Sequence, residues 1–102
     1  MNYLIQRREA LAQTAKTHGL DGFLVTADPN VVYLSGFTGG DSFFALLPKN
    51  DLLISDTRYE AQVKEECPSL DAVIRGHNKT TWEAAAEALT KAGVKSVGVE
   101  GN

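Results

Sequence analysis

Cysteine occurs once in the 102 residues, at Cys67, so no disulfide can form within the chain and the fold must hold without covalent staples. A lone thiol suits a reducing compartment, and the start Met1-Asn2-Tyr3-Leu4-Ile5-Gln6-Arg7-Arg8 lacks the uninterrupted apolar stretch of a signal peptide. A cytoplasmic location is the expectation. The longest apolar run, Phe43 to Pro48, falls far short of the roughly 20 residues that a helix needs to cross a bilayer, so no membrane span is expected. Basic residues are not in excess either: 10 Lys+Arg, scattered along the chain, stand against 13 Asp+Glu and leave a formal net charge of -3. That pattern lacks the electrostatic footprint of a nucleic-acid binder. No internal repeat or low-complexity tract interrupts the sequence.

What is present is the composition of one ordinary globular domain, with 43% hydrophobic and 23% charged residues. The length allows a single modest core and excludes a bilobal arrangement within this chain. The densest apolar stretch runs from Asp28 to Tyr59. There, the β-type runs Ser42 to Leu47 and Leu52 to Ser55 flank the turn-like Pro48-Lys49-Asn50-Asp51 and are expected to pair as a hairpin at the centre of a sheet.

Around that hairpin the chain alternates in type. Leu4, Leu11 and Ala15 form one stripe of a helix from Tyr3 to Thr17 that Gly19 stops, with Arg7, Arg8 and Glu9 mostly outside the stripe. Gly22 to Thr26 reads as a strand buried on both faces. Asp28-Pro29 opens a short helix through Val31, Val32 and Leu34 to Gly36, with Asp28 as its expected cap, against the β propensity of Val31 to Leu34. Ser55-Asp56-Thr57 offers a cap for a helix carrying Tyr59, Val63 and Cys67 and ended by Pro68. A strand from Asp71 to Arg75 precedes a helix started by a Thr80/Glu83 capping box and stopped by Gly93; its expected buried face is Trp82, Ala85, Ala86, Leu89 and Ala92, with Trp82 a core anchor. Lys95 to Glu100 is the last strand, and a chain that stops right after it, at Gly101-Asn102, is expected to be a piece of a longer one. The order α-β-α-β-β-α-β-α-β predicts a single α/β domain with a mixed sheet of about five strands flanked by helices, its two β-α-β crossovers right-handed and parallel where their strands are neighbours.

The chemistry-bearing residues are sparse. His18 sits beside a helix stop and His77 in the polar run Gly76 to Thr80, so surface or capping roles are expected rather than a metal site. Cys67 lies on an apolar stripe without a neighbouring histidine and reads as core. Glu65 and Glu66 project about 100° apart on a helix and cannot face each other as an acid/base pair. Gly39-Gly40 is followed by Asp41 and a strand, matching neither phosphate-binding nor dinucleotide loops; a tight turn or a close backbone approach accounts for it. Arg58 at a helix start opposes the helix dipole and is expected to pair with Asp56 or Asp41, or with a ligand.

The string Asp28-Pro29-Asn30-Val31-Val32-Tyr33-Leu34-Ser35-Gly36-Phe37, followed by a glycine-containing loop, an apolar hairpin and Asp56-Thr57-Arg58-Tyr59, resembles the amino-terminal domain of the creatinase and Xaa-Pro aminopeptidase/Xaa-Pro dipeptidase (prolidase) family. The resemblance covers nearly the whole chain. It implies a non-catalytic domain preceding a carboxy-terminal metallopeptidase domain that binds two divalent metals (manganese, cobalt or zinc) on two aspartates, a histidine and two glutamates, none of it in this sequence; this chain has no cofactor of its own and is expected to be inactive alone. It further implies a homodimer, proline-containing peptides as substrates, and a role in dimerisation and active-site covering. Carried residue by residue, it points to Phe37, Thr38, Gly39, Gly40 and Asp41 as a substrate-proximal loop with Arg58 as support; the two consecutive glycines suggest motion or close approach there. The alternative is a self-sufficient α/β binding or interaction module.

Overall fold

A computed structural model describes residues 2–100. Ten elements follow in order: α1 (Tyr3–Thr17), β1 (Gly22–Val25), α2 (Asp28–Ser35), β2 (Phe43–Leu46), β3 (Asp51–Asp56), a 3-10 turn (Thr57–Tyr59), α3 (Glu60–Glu66), β4 (Asp71–Arg75), α4 (Thr81–Lys91) and β5 (Val97–Glu100). The strands form one mixed sheet in the order β4-β3-β2-β1-β5. The expected hairpin is its centre: β2 and β3 pair antiparallel from Phe43 opposite Ile54 to Leu46 opposite Asp51, and the Leu47 amide donates to the Asn50 carbonyl across the turn. β2 is buried throughout because helices cover both faces of the sheet there.

One face packs α1, α2 and α3 through Ala15, Val31, Leu34, Val63 and Cys67 against Val25, Phe44, Leu46 and Leu53. The other packs α4 through Ala84 and Ala85 against Leu24, Phe43, Ala45, Leu52 and Ile54. Strand residues alternate between these two cores with the pleat, so consecutive residues such as Phe43 and Phe44 serve different helices.

Helix ends are set largely as the sequence predicts. Gly19 and Gly93 adopt φ of 73° and 74° after α1 and α4, and Gly36 adopts 81° after α2. In that region a side chain would crowd the backbone. The capping box is present, with the Thr80 amide donating to Glu83 Oε1 at 2.9 Å and the Glu83 amide donating to Thr80 Oγ1 at 3.0 Å.

Several expectations need correction. Asp28 is not a cap: the α2 cap is Ala27 and makes no side-chain bond, while Asp28 is the first helical residue, where its charge complements the helix dipole. Arg7 and Arg8 do not lie outside the packing. They donate to the Tyr33 and Leu34 carbonyls at 3.0 Å each, satisfying the exposed end of α2 from α1, and Arg8 also pairs with Asp51 at 3.3 Å. The crossover from β3 to β4 joins neighbouring parallel strands as expected, whereas the one from β4 to β5 spans the sheet to the opposite edge, where β5 runs parallel to β1. The last strand begins at Val97, because the Lys95 and Ser96 amides are taken by the Asp21 carboxylate. Trp82 is 55% exposed rather than a core anchor. Of the expected buried face of α4, Ala85 is buried and Leu89 and Ala92 are half-buried, but Ala86 is exposed and Ala84 takes its place against the sheet, with Arg75 Nε donating to the half-buried Thr81 Oγ1 at 2.9 Å. The indole then overhangs the sheet and meets Phe43 edge-on, with ring centroids 4.8 Å apart.

Candidate functional site

The site follows from the topology. The chain leaving β3 passes to the face of α3, and the chain leaving β4 passes to the face of α4. Two neighbouring parallel strands whose connections part to opposite faces leave a crevice outside their carboxyl ends, the usual ligand position in open α/β sheets. Such a crevice is present, about 520 Å³ in volume, walled by Asp41, Arg58, Arg75, His77 and Trp82.

Beneath the two arginines of its wall lies Asp56, the buried last residue of β3, which does not line the crevice itself. Arg58 grips this carboxylate with two parallel bonds, Nε to Oδ1 at 3.0 Å and Nη2 to Oδ2 at 2.8 Å, and the Arg58 amide donates to Oδ1 at 2.9 Å. Arg75 closes on Oδ2 at 3.5 Å and donates through Nη1 to the Lys79 carbonyl, so one carboxylate ties the ends of β3 and β4 to the start of α4. Hydrogen bonds from Arg58 hold the Asp56 carboxyl below its ordinary pKa although burial opposes them, and the same bonds raise Arg58 above its own. The unfavourable dipole position of Arg58 is thus compensated by the capping residue itself.

The loop before β2 forms the other wall. Ser35 Oγ donates to the Val31 carbonyl at 2.6 Å and accepts from the Phe37 amide at 3.0 Å, which turns the chain inward after α2. Phe37 is fully buried against Tyr59, ring centroids 5.6 Å apart. Glu66 accepts from the Thr38 amide at 2.8 Å, a bond that lowers its pKa, and Gln62 donates to Thr38 Oγ1 at 3.1 Å. Gly39 packs so closely that a Cβ there would stand 2.3 Å from Phe37 Cζ. Gly40 has φ of 81° and Asp41, not a glycine, has φ of 49°; Ser42 Oγ donates to the Gly40 carbonyl at 2.9 Å. The structure therefore ties this loop to the fold: Phe37 belongs to the core, Thr38 and Gly39 are held by α3 and by the Phe37 ring, and of the loop's exposed residues, Thr38 and Asp41, the one facing the crevice is Asp41. Asp41 and Arg58, with side chains 69% and 58% exposed and 3.5 Å apart, form the open lip of the crevice.

Arg75, His77 and Trp82 on the opposite wall were not singled out as site residues, because their convergence depends on strand order. Cys67 is buried, its thiol donating to the Ser35 carbonyl at 3.3 Å and pushed up in pKa by burial, as a core cysteine should be. His18 Nδ1 lies 2.9 Å from the Thr14 carbonyl at the end of α1, a capping position. Among the described residues no group of three or more His, Cys, Asp or Glu side chains stands together that could hold a metal ion. The two-metal centre implied by the resemblance is assigned to a carboxy-terminal domain outside this sequence.

Comparison with known proteins decides the family. Residues 7–102 match the creatinase/prolidase N-terminal domain. The chain belongs to that family. It is 30% identical over 84 residues to the uncharacterized peptidase YqhT of Bacillus subtilis, covering 82% of this chain but only 23% of YqhT. Among solved structures, the N-terminal domain of the cytoplasmic peptidase PepQ from Mycobacterium tuberculosis superposes with a TM-score of 0.86 at 30% identity, over 93% of this chain and 72% of that one. The Xaa-Pro dipeptidase of Bacillus anthracis shares the fold with a TM-score of 0.85 at 24% identity, over 95% of this chain and 27% of that one. The chain spans about a quarter of the length of YqhT and of the Bacillus anthracis protein. No helix among the described residues is long and apolar enough to cross a membrane.

Proposed function

We propose that residues 1–102 form the non-catalytic amino-terminal domain of a cytoplasmic proline-specific metallopeptidase, whose carboxy-terminal domain holds the divalent metals and whose active site this domain covers within a homodimer. The observation that carries the reading is the lip of the crevice: from a loop anchored to the core, Asp41 is the residue turned to the crevice, exposed next to the exposed Arg58. An exposed carboxylate beside a charged arginine suits a peptide, whose ammonium group the carboxylate can accept and whose carbonyl or carboxylate the arginine can meet. Arg58 stays oriented because Asp56 holds two of its nitrogens, so Arg58 is a positioning as well as a contacting residue.

Steady-state kinetics of the metal-loaded, full-length parent on an Xaa-Pro peptide test this. Asp41→Ala should lower kcat/KM roughly tenfold, the loss of about 1.4 kcal/mol of transition-state binding. The melting temperature of the isolated domain should stay nearly unchanged, since Asp41 is exposed. Unaltered kinetics in Asp41→Ala would remove the lip from the catalytic unit, and Xaa-Pro hydrolysis by the purified 102-residue chain with added manganese, cobalt or zinc would overturn the non-catalytic assignment.

A further inference from the structure

Trp82 stands on the wall of the crevice opposite the Asp41–Arg58 lip. It is 55% exposed, and among the described residues it is the one large exposed hydrophobic side chain that lines this crevice. Single exposed apolar residues are ordinary. This one differs in its place, because it lines a concavity of about 520 Å³ whose other wall carries the paired charges of Asp41 and Arg58. Its neighbour on the wall is Phe43, which is buried in the core under α4 and meets the indole edge-on at 4.8 Å between centroids. A buried aromatic ring thus backs a half-open one. An apolar wall facing a few placed polar groups is the usual composition of a small-molecule site.

Both walls are held by the same carboxylate. Asp56 binds Arg58, which pairs with Asp41 at the lip, and it also binds Arg75 at 3.5 Å. Arg75 in turn donates to Thr81 Oγ1 and to the Lys79 carbonyl, on either side of the Thr80 cap that starts α4. Trp82 follows one residue later, so the indole springs from a helix turn tied to the arginine across from it. An aromatic side chain has only two rotatable bonds, and little entropy is lost when it meets a ligand. The chemistry of that ligand follows from the tetrahedral geometry of a peptide's first Cα. With the ammonium group on Asp41 and the first carbonyl on Arg58, two substituents of this carbon turn to the lip, and the side chain is left to point across the crevice. There it meets the indole, backed by Phe43.

We propose that Trp82 is a specificity-determining contact for the first residue of an Xaa-Pro peptide: the indole packs on that side chain and favours a large apolar one, such as leucine, over alanine. The inference rests on the peptide reading of the Asp41–Arg58 lip and adds to it, since the lip meets backbone groups that every peptide shares. Discrimination therefore falls to the opposite wall. Proline in the second position is common to all such substrates, which leaves the first residue as the one to be read.

The test is steady-state kinetics of the metal-loaded, full-length parent on two peptides that differ only in their first residue, one beginning leucine-proline and the other alanine-proline, read as the ratio of their kcat/KM values. Trp82→Ala should lower the leucine-to-alanine ratio about tenfold, the scale of burying part of a leucine side chain against an apolar wall. Trp82→Phe keeps an aromatic surface and should hold the ratio within about threefold of wild type. A merely structural effect would lower both peptides together and leave the ratio where it was. An unchanged ratio in Trp82→Ala would overturn the proposal, and an unchanged ratio with loss of the dimer in sedimentation would assign the indole to a subunit contact instead. Asp41→Ala separates the two layers, since it should lower both peptides alike. Unaltered kinetics in that variant remove the peptide reading itself, whereas lowered kinetics there with an unmoved ratio in Trp82→Ala remove only the Trp82 contact.

Discussion

Adding one methyl group at Gly39 tests whether the loop before β2 is part of the core. An ideal Cβ built there would lie 2.3 and 2.8 Å from two carbons of the Phe37 ring and 3.0 Å from the Tyr59 ring. Real Cβ contacts do not reach such distances, so something must move. Phe37 has nowhere to go: it is fully buried in the core that Phe44, Leu53 and Val63 share, and its far side packs against other members. Backbone strain is not the cause, since Gly39 is absent from the positive-φ positions, unlike Gly40. Gly39→Ala is therefore an overpacking substitution, expected to cost about 1–3 kcal/mol. In a domain of this size each kcal/mol corresponds to roughly 4–8 °C in Tm, so calorimetry or thermal circular dichroism resolves it easily. The double variant Phe37→Leu/Gly39→Ala separates clash from general loop damage: a smaller side chain at Phe37 makes room, and the two costs should sum to more than the double variant shows. An unchanged Tm in Gly39→Ala, or strict additivity in the cycle, would refute the close packing and restore a loop independent of the fold.

Three further outcomes follow from the same geometry. Trp82→Ala should cost about 1 kcal/mol or less, well under the 3–5 expected of a buried indole, and the emission of this sole tryptophan should be that of a half-solvated ring in the native state; a large fall in the denaturation midpoint would contradict its exposure. Asp56→Asn should destabilise by about 2 kcal/mol at neutral pH through loss of charged hydrogen bonds. Because the folded-state pKa of Asp56 is depressed, that stabilisation is fully present above the unfolded carboxyl pKa of about 3.9 and is lost as pH falls through the folded value, so the gap between wild type and variant should close in acid. A gap independent of pH in denaturation curves would mean the carboxylate is not the stabilising species. Cys67 should react with a thiol-specific reagent only as fast as the domain opens, since its sulfur is buried and its pKa raised by burial; rapid modification of the native chain would place it at the surface.

Features set by near neighbours in the chain were readable in advance. The hairpin announced itself through two β-type runs around Pro48 to Asp51, the capping box through Thr80 and Glu83, and the Arg58–Asp56 pair through a separation of two residues that a single turn brings together. What depended on distant residues was not. Nothing near Trp82 in sequence reveals that Arg75 binds Thr81 or that Ala84 and Ala85 are the residues of α4 on the sheet, an arrangement that leaves the indole 55% exposed. Arg8 looked solvated because its partners, Asp51 and the Leu34 carbonyl, lie more than a hairpin away.

The glycine pair shows why such errors are asymmetric. Gly39-Gly40 is equally the signature of a mobile segment and of a backbone pressed against a neighbour, and sequence offers no means of choosing between them. Within the pair the two residues even differ in reason, Gly40 for its φ of 81° and Gly39 for the aromatic ring beside it. Anchoring changes what the site can do. If the loop were mobile, Asp41 would have to be ordered by its ligand at an entropic cost; held by Phe37, Gly39 and the Thr38–Glu66 bonds, the backbone that presents it is already fixed. In the proposed reading, a carboxylate on an anchored backbone, at a positive φ and 3.5 Å from an arginine that is itself held by a buried aspartate, meets a charged group from outside the domain without first having to be ordered. The core of this domain and its candidate site are therefore one structure: Phe37 packs on Tyr59, Arg58 lies over the Tyr59 ring and pairs with Asp41, so substitutions in the Phe37 packing should be felt at Asp41.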